Sequence, residues 1–526
     1  MRPRAPYGSG LASTAKQGGG ATLSAVSTNG SGDLYAGRIP LGERTLREHT
    51  ARGTVVNAGF LTALSFLGLL NAFVVAAFLT PEDYGIWGIL LAGIVTLAYL
   101  SELGVGDKYI QQSEDDQELA FNRAFTINLI VNLSFTVIMV AAVPLLAVIY
   151  GQSQIVAPGL VLALAMPAAG LISPLWIYYR RMQFVRQRTL QAIDPCVGFA
   201  VTVSLAIAGM GYWSLVIGAV AGKWTAALVT LATSPYRPRL RLGEGVRGYL
   251  SFSWPLVVAN VDRLVVVQAT ILVAEWKVGL VAAGAITLAS AIIAFTQKVD
   301  AMVTQTIYPA VCAVRDKTEL LFETFVKSNR LVLIWGVPFG VALLLFAPDL
   351  VDHVLGEKWE PAVGLLQAYG LISALGHVGF NWDAFFRARG ETKPIAAVAT
   401  FSTIVFLAVA IPLLALHGLA GFAVGVAVYC FSGVLGRTYY LTRIFDGFKM
   451  ARHAARAMLP VVPAVAAVLL ARLLESGGRT PATALAEFCT YVAVTVLATI
   501  LAERDLLREM LGYVRRAPSG RPAPVA

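Results

Sequence analysis

Long apolar stretches separated by short charged or Gly/Pro-bearing segments recur along the chain from about residue 55 to residue 502. A membrane-crossing helix needs roughly 20 apolar residues. The stretches that meet this need fall at about 55–79, 86–105, 124–149, 155–179, 195–210, 212–233, 249–273 and 278–300, and then at 331–347, 361–386, 394–416, 418–440, 457–474 and 482–502. The pattern predicts an all-α polytopic membrane protein of about 14 transmembrane helices.

The basic residues orient these spans. Of the 41 Lys and Arg, 34 lie in segments on the side that holds the N-terminus, and only Lys277, Lys358, Arg472 and Arg479 lie opposite, with Lys223, Arg263 and Lys298 inside spans. Positive residues are retained on the cytoplasmic side, so both termini are expected there. Composition agrees: 57% of residues are hydrophobic and 14% charged, and mean hydropathy is +0.69. The net charge of +10 needs no nucleic-acid partner, since basic loops facing anionic membrane lipids account for it. Residues 1–53, rich in Gly, Ser, Thr and Ala without an apolar core, are expected to be a disordered cytoplasmic tail, and 505–526 a second tail. Cys196, Cys312, Cys430 and Cys489 show no CxxC spacing and read as small buried apolar residues.

The chain also resembles itself. Aligning 146–186 with 351–391 places Gly151 on Gly356 at an offset of 205, and Gly211 and Gly218 fall on Gly418 and Gly425 at 207. Six spans per copy is an even number, so the copies enter the membrane in the same direction. This predicts two six-helix lobes, 54–240 and 241–445, in parallel repeat around a central cleft, with two extra C-terminal helices in 446–504.

No P-loop, GxGxxG, HExxH or cluster of His and Cys at metal-ligand spacing is present, and no loop is long enough for an extramembrane domain. Neither an enzyme nor a cofactor or metal is expected. The informative residues are charges within spans, each of which costs several kcal/mol at the bilayer centre unless a partner or cavity compensates. Asp262 and Arg263 lie near the middle of span seven, with Asn260 on a similar face to Arg263, and Lys223 on span six is in reach of Asp262 if those helices pack. These residues read either as an ion pair fixing helix register or as a solvated substrate or proton site. Lys298 and Asp300 either snorkel to the interface or guard the inner mouth of the cleft. His377, Asn381 and Asp383 run inward along span ten, with His377 and Asn381 on one face. His377 is either a hydrogen-bonded packing residue or a cleft group that titrates near neutral pH. Pro158, Pro167 and Pro174 predict breaks in span four.

The segment Phe78-Leu-Thr-Pro-Glu-Asp-Tyr-Gly85, followed by Ser101-Glu-Leu-Gly-Val-Gly106 and Ile110-Gln-Gln112, resembles the opening of the polysaccharide flippases of the multidrug/oligosaccharidyl-lipid/polysaccharide exporter superfamily. Tyr308-Pro309 and Leu355-Gly-Glu-Lys-Trp-Glu-Pro-Ala362 resemble the second-lobe signature, and the likeness runs from about 50 to 503. Similarity to Wzx-type exporters implies a bacterial inner-membrane protein that moves an undecaprenyl-pyrophosphate-linked oligosaccharide repeat unit across the membrane by alternating access. Its partners would then be that lipid-linked sugar, membrane lipids, and the polymerase and chain-length proteins of the same pathway. In this superfamily the first and seventh helices border the cavity. That supports Asp262 and Arg263, and supports Lys223 on span six less; by their charge Arg263 and Lys223, with Asn260 and Lys298, are the candidates to meet the substrate, and Asp262, then Asp383 or His377, to carry a coupling proton. Relatives that flip peptidoglycan precursor carry cations in the first helices, whereas span one here offers only Asn57 and Asn71. Two other readings are a multidrug cation antiporter of the same superfamily, which favours acidic cleft residues, and a polysaccharide polymerase or ligase, which needs a large outer loop.

Overall fold

The computed structural model describes residues 46–101, 105–111, 116–181, 183–241, 261–313, 317–389, 391, 393–445, 447–475 and 479–508. These form helices and turns, without a strand among the described residues. The longer helices are α1 (Leu46–Phe78), α2 (Pro81–Ser101), α3 (Gln117–Tyr150), α4 (Phe184–Ile207), α5 (Tyr212–Ala232), α6 (Val261–Lys277), α7 (Leu280–Ala313), α8 (Thr318–Leu350), α9 (Val363–Gly376), α10 (Lys393–Val405), α11 (Ile411–Ile444), α12 (Val462–Leu474) and α13 (Pro481–Ala502).

Ten helices among the described residues are long and apolar enough to cross a membrane, against the fourteen expected. One of them, Lys393–Ile444, has 52 residues, about 78 Å at 1.5 Å per residue and far more than one crossing needs. It is interrupted at Gly418 (φ 62°, ψ −147°), so it covers two of the sequence spans. Span seven contributes only the 17 residues of α6 to the described set, and span ten is broken into pieces. Span four breaks as its prolines require: Pro174 caps the start of Leu175–Arg180, and Pro167 lies in the first turn of Ala165–Leu171.

The glycines matched by the internal alignment share a backbone that side chains resist. Gly211 (φ 54°, ψ −139°) and Gly418 have nearly the same torsion angles, and Gly151 and Gly356 both have positive φ. Gly218 lets α5 lie against Gly198 and Thr202 of α4, and Gly425 lets the last part of α11 lie against Ala410. Helices in lipid gain no hydrophobic drive from one another, and such close backbone approaches supply the packing instead.

The C-terminal pair α12–α13 docks on α8 through charge. Asp349, buried at the end of α8, accepts hydrogen bonds from Arg472 Nη2 (3.3 Å) and Arg479 Nη2 (2.8 Å), and Glu487 of α13 accepts from Arg472 Nε (3.1 Å) and Arg479 Nη2 (2.8 Å). At the other end Arg330 of α8 pairs with Glu503, and Tyr491 donates to Pro338 O between them (2.8 Å). The two arginines read from sequence as outer-loop cations are therefore structural ties. Asp349→Ala removes one of the two carboxylates that Arg472 and Arg479 share and leaves them Glu487. We expect a loss of about 1.5–3 kcal/mol, the worth of a hydrogen bond to a charged group, read as a lowered unfolding midpoint of the purified protein in detergent; an unchanged midpoint would rule out this tie.

Candidate transport site

The two family-like segments meet at the α1–α2 end, which the Lys/Arg pattern expects to face outward. Thr80 and Asp83 form a reciprocal cap on α2: Thr80 N donates to Asp83 Oδ2 (3.0 Å), and Asp83 N donates to Thr80 Oγ1 (3.2 Å). Pro81 occupies the first helical position, where no backbone donor is needed. Asp83 Oδ1 also accepts from Tyr212 N at the start of α5 (3.1 Å). From the second segment, Trp359 Nε1 donates to Ala76 O (2.8 Å) and Lys358 Nζ to Ala77 O (2.8 Å), capping the last carbonyls of α1. Partial burial holds the Lys358 ammonium below its ordinary pKa, and the charge of Asp83 opposes that shift. Tyr84 meets the fully buried Trp359 edge-on, with ring centroids 5.1 Å apart. Gly85 and Gly284 bring α2 and α7 into backbone contact.

Helix α6 is stitched to the first lobe. Gln268 Nε2 donates to Ala92 O on α2 (2.9 Å), Gln152 Nε2 donates to Glu275 Oε1 (2.8 Å), and Trp276 Nε1 donates to Ile149 O (2.6 Å). Sequence reading passed over Gln268 and Glu275, although a Gln within an apolar span is itself a signal. Asp262 and Arg263 lie on α6, with Arg263 14 residues from its Lys277 end, or about 21 Å. Their side chains, and that of Lys298 on α7, lie outside the described set, and Asn260 lies outside the described residues.

Lys223 pairs with Asp194 of α4 at 2.5 Å, with both side chains partly exposed. It lies 11 residues from the start of α5, about 16 Å along the helix, on a face shared with Ala226 and Ala227, which are buried. The sequence reading looked to Asp262 for its partner.

Span ten places its polar residues at a break. Helix α9 ends at Gly376, Gly379 takes φ 67°, and a new helix runs Trp382–Ala388. The expected shared helical face of His377 and Asn381 is therefore absent, yet both are buried. Asn329 of α8 satisfies the freed backbone, donating to His377 O (2.9 Å) and accepting from Gly379 N (3.2 Å). Asn329 also receives His453 Nε2 at 2.8 Å. His377 Nε2 lies 3.2 Å from Asp300 Oδ1, close enough to pair though poorly aligned as a hydrogen bond. Arg437 of α11 donates to Gly376 O (2.8 Å) and Gly433 O (3.2 Å). Asp300, read as either snorkelling to the interface or guarding the inner mouth of the cleft, and Arg437, counted as a loop cation, thus sit half-buried beside the buried His377. Asp383 stands apart from it, paired with Arg387 at 3.0 Å on a half-exposed surface. Among the described residues no group of three His, Cys, Asp or Glu is arranged to hold a metal ion.

The apolar core is divided unequally along the membrane normal. At the α1–α2 end one cluster takes residues from both lobes, including Val75, Tyr84, Leu215, Ile286, Trp359 and Phe406. Toward the opposite end the first lobe has its own cluster around Tyr109, Phe121 and Ile177, and the second has another around Phe325, Phe385 and Leu441. Among the described residues, the lobes share a core at the α1–α2 end.

Residues 74–364 match the model of the family described as polysaccharide biosynthesis protein, a stretch that contains both meeting segments. The chain is 24% identical to the lipopolysaccharide biosynthesis protein WzxC of Escherichia coli over 73% of this chain and 78% of that one. It is also 24% identical to the succinoglycan biosynthesis transport protein ExoT of Rhizobium meliloti over 86% and 93%. In fold it is similar to the lipid II flippase MurJ in an inward closed conformation, with a TM-score of 0.69 and 13% identity over 86% of this chain and 98% of MurJ. A multidrug resistance MATE family transporter in an inward-facing conformation gives 0.58 and 14% over 75% and 100%. The chain belongs to the polysaccharide biosynthesis protein family.

Proposed function

We propose that the protein moves an undecaprenyl-pyrophosphate-linked oligosaccharide repeat unit from the cytoplasmic to the periplasmic leaflet of a bacterial inner membrane, for exopolysaccharide, capsule or O-antigen assembly. Its two lobes, 54–240 and 241–445, alternate the access of the cleft between them, both termini lie in the cytoplasm, and the delivered unit passes to polymerase and chain-length proteins. The observation that carries this reading is the apolar core that both lobes share at the α1–α2 end among the described residues. A shared core there seals the outer end of the bundle. An anionic sugar headgroup enters from the cytoplasmic side while its polyprenyl tail stays in lipid. Arg263 and Lys223, at about 21 and 16 Å from the sealed end, lie at depths suited to hold pyrophosphate by charge-assisted hydrogen bonds. Asn260 and Lys298 are the further candidates to meet the substrate. Lys223 reaches substrate by exchanging Asp194 for phosphate. His377 with Asp300 carries the coupling proton, with Asp262 the next candidate and Asp383, already paired at the surface, the weakest.

The test is to delete the protein from its host and locate lipid-linked oligosaccharide with a membrane-impermeant sugar probe on oriented vesicles. Accumulation on the cytoplasmic leaflet is expected, reversed by the wild type. Arg263→Ala should be about ten- to a hundredfold slower, as loss of a hydrogen bond to a charged group implies. Unpolymerised units on the periplasmic leaflet would instead put the block after flipping and overturn the proposal.

A further inference from the structure

The geometry points to a binding site for an anionic glycerophospholipid on the outer flank of the first lobe, formed by the strap Tyr236–Arg241 and helix α3. This site is separate from the substrate cleft and does not depend on the proposed flipping activity. The sequence Tyr236-Arg-Pro-Arg-Leu-Arg241 alternates cations with Pro238 and Leu240, a pattern that suits an extended segment with two different edges. The structure pins it so. Tyr236 is wedged between Phe121, with ring centroids 5.9 Å apart, and Arg181, whose Nη2 donates to its hydroxyl at 2.9 Å. Arg239 N then donates to Asn122 Oδ1 and Arg241 N to Thr126 Oγ1, both at 2.8 Å. Asn122 and Thr126 are one turn apart on α3, so the strap runs along that helix.

What the strap exposes is mixed in character. Arg237, Arg239 and Arg241 are exposed, and no carboxylate pairs with any of them among the described residues. The neighbouring arginines are already committed: Arg180 to the carbonyls of Tyr109 and Ile110, Arg181 to Tyr236, and Arg186 to the face of Tyr178. On α3 the acidic Asp116 and Glu118 lie a turn or more toward the helix start, and Asp116 is occupied in capping Leu119 N. Below the arginines, Leu240 and α3 residues Thr126, Leu129, Ile130 and Leu133 line an open apolar groove of about 250 Å³. Ile130 and Leu133 are each 45% exposed.

The depth fits a lipid. Helix α3 has 34 residues, about 51 Å, against a hydrocarbon thickness of about 30 Å. Its first two turns therefore project among headgroups, and Ile130 and Leu133 lie in hydrocarbon. Three free guanidiniums at the boundary above an apolar groove match a phosphate headgroup with one of its acyl chains beneath. All the residues lining the groove belong to the first lobe, which favours a bilayer lipid over one carried between the lobes.

The experiment is native mass spectrometry of the full chain in detergent with phosphatidylglycerol or phosphatidylcholine added at equal concentration. The wild type is expected to retain at least one more phosphatidylglycerol than phosphatidylcholine. R237Q/R239Q/R241Q should abolish that preference, and Ile130→Trp, which fills the groove with the arginines intact, should cut retention at least fivefold. Full preference in the triple variant would overturn the site, as would undiminished retention with Ile130→Trp. Displacement of the lipid by inorganic phosphate alone would also overturn it, because the groove would then contribute nothing. Preferential displacement by a polyprenyl phosphate at equal concentration would reassign the site to the transported lipid and refute the present assignment.

Discussion

Gly284→Leu is expected to reduce polymer export to the level of cells lacking the protein, with most of the variant still in the membrane. At Gly284 an added Cβ falls inside the van der Waals radius of Pro81 O, 2.8 Å from Pro81 C and 3.0 Å from Gly85 N. These are backbone atoms, and they are held: the start of α2 carries the Thr80–Asp83 cap and receives Tyr212 N. Neither helix has a flexible side chain to move aside, so the lobes must part at their shared core. Overpacking of this kind costs about 1–3 kcal/mol, which shifts the balance between sealed and open outer ends by roughly five- to a hundredfold. A transporter that cannot seal one end cannot alternate. Ala92 is 3% exposed on α2, so a cysteine placed there should resist a membrane-impermeant maleimide alone and react when combined with Gly284→Leu. Gly59, where a Cβ meets nothing within 4 Å, should tolerate alanine with normal export. Normal export from Gly284→Leu, with the cysteine at 92 still protected, would show that this crossing does not seal the protein.

The segment Thr80–Gly85 shows what sequence reading can and cannot extract from a motif. The residues marked a family, but their common task was hidden until Thr80, Asp83, Tyr84 and Gly85 were seen to cap, brace and admit the second lobe. The spans were legible because hydrophobic length and cation placement are local properties. Partners were not, because they depend on where helices begin and which pack together. Span five was read from residue 195, but the helix starts at Phe184 with a polar first half, so Asp194 lies within the bundle opposite Lys223. The same kind of error put Arg437 in a loop. Its aliphatic stem and the carbonyls of Gly376 and Gly433 make burial possible, and no hydropathy window contains that information. The cysteines were misjudged in the other direction: Cys196 and Cys489 are exposed on the helix surfaces rather than buried, since a thiol is apolar enough to face lipid.

Asp300 and His377 provide the sharpest test of coupling. Asp300→Asn and His377→Gln are each expected to reduce export to background at neutral pH, with membrane abundance falling no more than about twofold. Each single change strips a mostly buried group of its partner, and breaking a buried pair costs about 3–5 kcal/mol. Among the described residues, the charged and thiol groups around the pair are already engaged, and the other ring nitrogen of His377 faces Ser373 O at 2.5 Å. Arg437 faces the pair from α11 but is fixed on two carbonyls, and Cys430 on the same helix donates to Ile372 O. His453 reaches the cluster only through Asn329, and Asp383 is held by Arg387. Large losses in single variants would follow from structure or from coupling alike, so the double variant decides between them. Removing both members of a purely structural pair leaves no stranded charge and is close to neutral. In that case D300N/H377Q should regain both abundance and export. If the pair moves the proton, the double variant should regain abundance but not export, and its residual activity should lose the dependence on pH across neutrality that a working His–Asp site gives the wild type. Restored export with an unchanged pH profile would reduce the cluster to a device for closing the break in span ten, and Asp262 on α6 would become the residue to test next.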